Sequence, residues 1–168
     1  VINEPNNKAT FNFILPENTI GWSYYMGVGP EGLQVYEEAA KKLNANSDQV
    51  ISKFPSYNPL AALVLGRDPY LTKLQTGNEI GFWITEGENA SLFTSGAQFR
   101  YIKKGKAIND YSRMDFRKGT LCFCLANYNA ESITLTVKIT TIQANEVLDT
   151  KSTQSMRVTP RSEMYLKN

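Results

Sequence analysis

The sequence predicts a mainly β fold, namely a jelly-roll-like β-sandwich with a helical insertion at about residues 31–76. Apolar residues alternate with polar ones before this segment and again from residue 79 onward, which is the pattern of half-buried strands. Within the segment the apolar spacing changes to three and four residues, as in amphipathic helices. Because strand runs stand before and after the helices, α+β is the alternative and a doubly wound fold is disfavoured. A chain of 168 residues is sufficient for one domain, 1–168.

The first strands are predicted in residues 8–28. Residues 10–15 alternate, with Phe11 and Phe13 on one face, and Pro16 then begins a turn. The stretch from Ile20 to Val28 is rich in aromatic residues, which favours a second strand. The glycines that follow Val28 end this strand.

Four helices are predicted in the insertion. The first passes through Leu33, Tyr36, Ala39, Ala40 and Leu43, and the second carries Val50, Ile51 and Phe54. The third runs from Pro59 to Leu65. The fourth starts at Pro69, after the capping Asp68, and runs through Leu71 and Leu74 to Gly77. The third is apolar throughout. We expect it to pack in the core, the alternative being an exposed segment that contacts a membrane or a partner.

Strands return after residue 79, separated by turn residues. Strands are predicted at Ile80–Thr85, Leu121–Leu125 and Ile133–Thr141, and a turn at Glu86–Asn89. Two hairpins are also predicted. One has its tip at Lys103–Lys106, and the other closes the chain by pairing Met156–Val158 with Met164–Leu166. No internal repeat or linker divides the chain.

Composition excludes several kinds of chemistry. The chain has no histidine, so it has neither a Ser-His-Asp nor a Cys-His nucleophile system and no imidazole zinc site. Its net charge of +2 is too small for a committed nucleic-acid binder. Cys122 and Cys124 are one residue apart, which is neither a redox nor a zinc spacing, so we expect two buried, reduced thiols. No metal or cofactor is predicted.

The ends of the chain bear on its location. It begins with Val1 in a polar stretch rather than with Met, which favours an exported protein whose leader has been removed. No apolar run approaches the roughly 18 residues that a transmembrane helix needs. We therefore expect an exported protein without a transmembrane segment.

Residues 98–118 form the candidate ligand-binding stretch, because seven basic residues stand there against two acidic ones, with aromatic residues between them. Basic groups bind phosphate or sulfate, and aromatic rings stack on bases or sugars. The alternative is a solvated hairpin whose charges protect a strand edge. The candidate residues are Arg100, Tyr101, Lys103, Lys104, Lys106, Tyr111 and Arg113.

Carboxylates offer a second kind of chemistry. Glu86 and Glu88 flank Gly87 within a predicted turn near Glu79, and a pair of carboxyl groups can hydrolyse a glycosidic bond without histidine. The alternative is that these are solvated loop acids. The stretch Asn89-Ala90-Ser91 is also a glycosylation acceptor pattern. No catalytic residue is assigned.

The last strands resemble a known kind of module. An apolar strand at Ile80–Ile84 precedes Gly119–Leu125, then Asn127 and Asn129, then the alternating strand Ile133–Ile139. This order resembles GOLD-type and bacterial pre-peptidase C-terminal jelly-roll domains. The resemblance implies a non-catalytic β-sandwich used for contact with a protein, carbohydrate or lipid, although the helical insertion departs from it.

Three functional hypotheses follow. The first is a non-enzymatic exported module that contacts a protein, glycan or lipid partner. The second is a small, histidine-independent, glycan-directed hydrolase with paired carboxylates. The third is anionic-ligand or nucleic-acid binding through residues 98–118, with nucleic acid disfavoured by the net charge.

Overall fold

The computed structural model describes residues 7–46 and 57–144, together with the backbone of residues 162–166. These residues form eight strands and three α-helices. In chain order they are β1 (Lys8–Ile14), β2 (Thr19–Val28), α1 (Gly29–Asn46), α2 (Pro59–Val64), β3 (Ile80–Glu86), α3 (Ala90–Ser95), β4 (Lys103–Ala107), β5 (Asn109–Met114), β6 (Thr120–Ala126), β7 (Ile133–Gln143) and β8 (Ser162–Leu166). The predicted mainly β class is confirmed.

The strands form two antiparallel sheets. Sheet A has the order β1-β6-β3-β4, and sheet B has the order β5-β2-β7-β8. Their inner faces share one apolar core, so the two sheets pack as a sandwich. The finer jelly-roll topology is not confirmed by this strand order and stays a prediction.

Aromatic side chains fill the core between the sheets. Tyr24 of β2 is fully buried, with its ring centroid 5.4 Å from that of Phe123 in β6 and 6.2 Å from that of Phe82 in β3. Trp22, also fully buried, packs against Phe13 of β1 with centroids 5.4 Å apart. These rings bring the alternating apolar faces of both sheets into one core.

Helices α1 and α2 cover the outer face of sheet B. Tyr25 of β2 packs on Tyr36 of α1 at a centroid distance of 5.4 Å, in a cluster that includes Leu60 of α2. Asn58 caps α2, since its Oδ1 accepts a hydrogen bond of 2.9 Å from the amide of Ala61. The predicted apolar helix is therefore confirmed, and it packs in the interior.

The predicted fourth helix, Pro69 to Gly77, is wrong. Asp68 caps a local turn instead, because its carboxylate accepts from the amide of Tyr70, which has a left-handed φ of 58°. The chain beyond is irregular, and Asn109 of β5 replaces the helical hydrogen bonds. Its side chain accepts from the amide of Leu74 at 2.9 Å and donates to the carbonyl of Thr72 at 2.8 Å.

The predicted hairpin tip at Lys103–Lys106 is also wrong, because these residues form most of β4. The chain turns later, at Ile108, whose carbonyl accepts from the amide of Val28. Helix α3 was not predicted; it follows the turn at Glu86–Asn89, which is a short 3-10 helix over Gly87–Asn89.

The end of the chain and part of the insertion complete the comparison. Met164–Leu166 lies in β8, which pairs with β7. Met156–Val158 and the predicted helix of Val50, Ile51 and Phe54 lie outside the described residues.

Close backbone contact between Gly27 and Gly32 seats α1 on β2. A Cβ atom on Gly32 would lie 2.6 Å from the carbonyl carbon of Gly27. Alanine favours a helix interior over glycine by about 1 kcal/mol, whereas overpacking costs about 1–3 kcal/mol. We expect Gly32→Ala to lower the free energy of unfolding despite its better helix propensity.

Urea unfolding followed by circular dichroism measures this effect. The control is Gln34→Ala, an exposed position in the same helix, which we expect to stay within about 0.5 kcal/mol of the parent. A Gly32→Ala variant as stable as the parent would contradict the contact.

The buried hydroxyl of Tyr25 is expected to lower the free energy of unfolding at alkaline pH. Its hydroxyl donates to the carbonyl of Gly32 at 2.5 Å, and burial raises its pKa to about 12. The unfolded chain loses this proton near pH 10 while the folded chain keeps it, so this contribution is complete below pH 10 and falls by roughly 3 kcal/mol up to pH 12. Urea unfolding between pH 9 and 11.5 measures the slope.

Tyr25→Phe is expected to make this slope shallower. Tyr24 keeps part of the slope, because burial and its hydrogen bond to Asp110 raise its pKa in the same direction. An unchanged slope in Tyr25→Phe would contradict the assignment.

Candidate functional site

The outer face of sheet A carries the candidate functional site. In β3, Phe82 and Ile84 point into the core, so Trp83 between them points outward. The register places Lys104 of β4 opposite Trp83, and Lys106 opposite Gly81. Paired residues share one face of a sheet, so both lysines lie on the same side as Trp83.

Further aromatic rings lie on both sides of Trp83. The ring centroid of Phe99 lies 6.1 Å from that of Trp83 and 6.5 Å from that of Tyr101. On the other side, a Cβ atom on Gly81 would lie 3.1 Å from the ring of Trp83 and 3.1 Å from that of Tyr128. We call this group the aromatic surface: Gly81, Trp83, Phe99, Tyr101, Lys104, Lys106 and Tyr128.

Two of its rings are well exposed, Tyr101 at 47% and Tyr128 at 62%. The ammonium group of Lys104 lies 5.0 Å from the ring centroid of Tyr101, within cation–π range. The surface therefore exposes aromatic rings and a positive charge to solvent.

Helix α3 supports the rings from one side. Phe93 is buried, with its ring centroid 5.1 Å from that of Trp83 and 5.7 Å from that of Phe99. Beneath Phe93 lie the fully buried side chains of Cys122 and Cys124, which are free thiols with sulfur atoms 3.5 Å apart. The prediction of two buried, reduced thiols is confirmed. Their place is the apolar floor under α3.

A hydrogen-bonded turn fixes Tyr128. The side-chain oxygen of Asn127 accepts from the amide of Asn129 at 2.9 Å, and the side chain of Asn129 donates to the carbonyl of Glu79 at 2.8 Å. Asn127 itself is fully buried. The turn thus anchors Tyr128 beside the start of β3.

A cleft of about 640 Å³ adjoins the aromatic surface. Its lining residues are Glu86, Glu88, Asn89, Leu92, Gln98, Phe99 and Arg100. Phe99 belongs to both the cleft and the aromatic surface, so a ligand on the rings has carboxylate, amide and guanidinium groups beside it. Of the candidate residues predicted from the sequence, Arg100 lies in this cleft.

The candidate carboxylates divide between two places. Glu86 and Glu88 line the cleft, and Glu86 lies 3.6 Å from the guanidinium group of Arg117. Glu79 lies apart from the cleft lining, 3.7 Å from the ammonium group of Lys106. Only Glu86 and Glu88 therefore share a cavity.

Lys103 turns toward the core side of β4. Its ammonium group lies 3.9 Å from the carboxylate of Asp110 and 5.3 Å from the ring centroid of Tyr24. The same carboxylate accepts from the hydroxyl of Tyr24 and from Lys73. Lys103 is thus part of a polar cluster that closes the edge of the sandwich.

Tyr111 and Arg113 lie on β5, on the outer face of the other sheet. Tyr111 pairs with Tyr25, and Arg113 pairs with Ser23. The Tyr111 hydroxyl donates to the carbonyl of Leu71 at 3.0 Å, and burial raises its pKa. The strand crossing at Ile108 therefore separates these two residues from Tyr101, Lys104 and Lys106.

Comparison of the chain with family models, curated proteins and solved structures finds no match. Its function has to be inferred from its own surfaces.

Other candidate features are accounted for by local structure. Asn89 of the acceptor pattern is only 8% exposed, and its side chain accepts from the amide of Arg100 at 3.4 Å. A second cavity of about 540 Å³ lies at the start of α1, beside the carboxylate of Glu31. Within residues 7–46 and 57–144, no three metal-binding side chains cluster, and no helix has the length and apolarity to cross a membrane.

Sequence reasoning missed four members of the aromatic surface, which are Gly81, Trp83, Phe99 and Tyr128. The available signal was the alternation of β3, because a tryptophan between two core residues of a strand must point outward. Tyr128 gave no such signal, since a turn residue is brought to Trp83 only by the folded chain.

Gly81 provides a test of how the rings are held. A methyl group at this position must displace the rings of Trp83 and Tyr128, both 3.1 Å away. We expect Gly81→Ala to shift the partly exposed Trp83 ring and thereby to change the acrylamide quenching of tryptophan fluorescence. Trp22 is fully buried and contributes a constant background.

Thr10→Ala is the control, because Thr10 is exposed on the same face but belongs to β1 at the far edge of sheet A. Equal quenching of the parent and Gly81→Ala would contradict the described packing of the rings.

Proposed function

We propose that this chain is a non-enzymatic, exported binding domain that holds a saccharide chain against the aromatic surface of sheet A. The observation that carries the proposal is the group of aromatic rings on one face of sheet A, in which Trp83, Phe99 and Tyr101 have successive centroids 6.1 and 6.5 Å apart and Tyr128 lies on the other side of Gly81. The GOLD-type or pre-peptidase C-terminal resemblance agrees with a binding role. Export is part of the proposal because saccharide chains are presented mainly outside cells.

The chemistry of the surface favours a saccharide over a protein or lipid partner. Tyrosine and tryptophan present an apolar ring with a polar handle, which suits the C–H faces and hydroxyl groups of a sugar. An extended row of rings suits a ligand that repeats along its length. The adjoining cleft adds Glu88, Gln98 and Arg100 as hydrogen-bonding groups for hydroxyls.

Glycan hydrolysis is a second candidate, favoured by one observation. Glu86 and Glu88 line the same cleft beside Phe99. A glycosidase needs one carboxyl group in apolar surroundings to serve as the acid. Glu86 is 54% exposed and faces Arg117, so it lacks those surroundings. Binding requires no such acid, and we prefer it.

The aromatic surface predicts which side chains carry the affinity. Truncating an aromatic residue at the centre of an interface typically costs more than about 1 kcal/mol. We expect Tyr128→Ala and Tyr101→Ala each to weaken binding about tenfold, a change that corresponds to about 1.4 kcal/mol. Affinity gel electrophoresis with dextran, methyl-esterified pectin, polygalacturonate and dextran sulfate measures the retardation.

Phe116→Ala is the matched control, because Phe116 is an aromatic residue with 37% exposure and lies outside the aromatic surface. The proposal is wrong if none of the polymers retards the parent protein, or if Phe116→Ala weakens binding as much as Tyr128→Ala. A reducing-end assay separates the second candidate: sugar release that Glu88→Gln abolishes would establish hydrolysis instead.

A further inference from the structure

We infer that the saccharide bound by the aromatic surface is acidic, with carboxylate or sulfate groups that pair with Lys104 and Lys106. This inference rests on the proposed function and assigns the chemical class of its ligand. The two lysines lie two residues apart on one face of β4, so their backbones are separated by roughly 7 Å. Both lysines lie beside the aromatic rings, on the strand at the edge of sheet A.

Lys104 has a charge that the described part of the chain leaves without a counter-ion. Its ammonium group lies over the ring of Tyr101, at 5.0 Å from the centroid, and forms no ion pair within residues 7–46 and 57–144. Cation–π contact orients the group but does not neutralise it. An anion on a ligand that stacks on Tyr101 would therefore meet an oriented positive charge.

Lys106 has a weak partner that a ligand can replace. Its ammonium group lies 3.7 Å from the carboxylate of Glu79, with both side chains more than half exposed. Exposed pairs of this kind contribute little, because both charges remain solvated. A ligand carboxylate or sulfate can take the place of Glu79 at small cost.

The neighbouring Lys103 shows the contrast within one strand. It points to the core side and lies 3.9 Å from Asp110, whose carboxylate also accepts from Tyr24. Its charge is paired with the Asp110 carboxylate within the protein. The alternation of β4 thus divides its lysines into one structural cation and two that face the aromatic surface.

The test compares polymers that share a backbone and differ in charge. The pairs are polygalacturonate with its methyl ester, and dextran sulfate with dextran. We expect the parent protein to bind at least one charged member more tightly than its neutral counterpart. We expect Lys104→Ala combined with Lys106→Ala to weaken binding of that charged polymer about three- to tenfold and to weaken binding of its neutral counterpart by a smaller factor.

Lys41→Ala combined with Lys42→Ala is the matched control, because these lysines are exposed on α1 and the variant loses the same total charge. We expect it to bind as the parent does. Preference for polygalacturonate identifies a carboxylate as the ligand group, and preference for dextran sulfate identifies a sulfate. Either result supports the inference.

Failure of this inference and failure of the proposed function give different results. If charged and neutral polymers bind equally and Lys104 and Lys106 have no effect, the inference is wrong, whereas loss of binding in Tyr128→Ala still supports the proposed function. If a charged polymer binds Tyr128→Ala and Tyr101→Ala as tightly as the parent, the proposed function is wrong. Duplex DNA bound as tightly as the charged polysaccharide, or equal weakening in the control, would overturn the acidic saccharide as the ligand.

Discussion

The packing of the buried Tyr24 ring against Phe82 and Phe123 is the contact on which the rest of the structure depends. Tyr24 belongs to sheet B and both phenylalanines to sheet A, so this contact joins the two sheets and fixes the face that each strand turns inward. Because strand side chains alternate, an inward Phe82 requires an outward Trp83, and a slip of one residue would exchange them. The position of the proposed binding surface is thus a consequence of core packing.

The outer faces of the two sheets are covered unequally. Helices α1 and α2 bury the outer face of sheet B, with Tyr25 and Leu60 in their cluster. On sheet A, α3 covers only the area around Phe93. Beyond it, the well-exposed rings of the aromatic surface are those of Tyr101 and Tyr128, which are amphipathic, tolerate water and still offer a face for contact. The proposed binding function is based on this grouping of rings and lysines on one face.

Alternation predicted β1 and β7, while β2 and β6 were predicted from their aromatic or apolar content, because both faces of these two strands are buried. The errors have physical causes. Asp68 before Pro69 signals a helix cap and a turn equally well, and Asn109, distant in sequence, decides for the irregular chain. The basic stretch 98–118 is continuous in sequence, but the crossing at Ile108 divides it between two sheets. Tyr128 and Trp83 come together beside Gly81 only through tertiary folding, so no local pattern contains their arrangement.

A nitrogen–proton correlation spectrum recorded during titration with polygalacturonate or dextran sulfate tests the central claim most directly. The two indole N–H groups are internal reporters, since Trp22 is buried and donates to the carbonyl of Asp115 at 2.8 Å, whereas Trp83 lies on the aromatic surface. We expect the indole signal of Trp83 and the amide signals of Lys104 and Lys106 to move, while the indole signal of Trp22 stays. Shifts confined to the cavity at the start of α1, or to β5, would contradict a binding surface on sheet A.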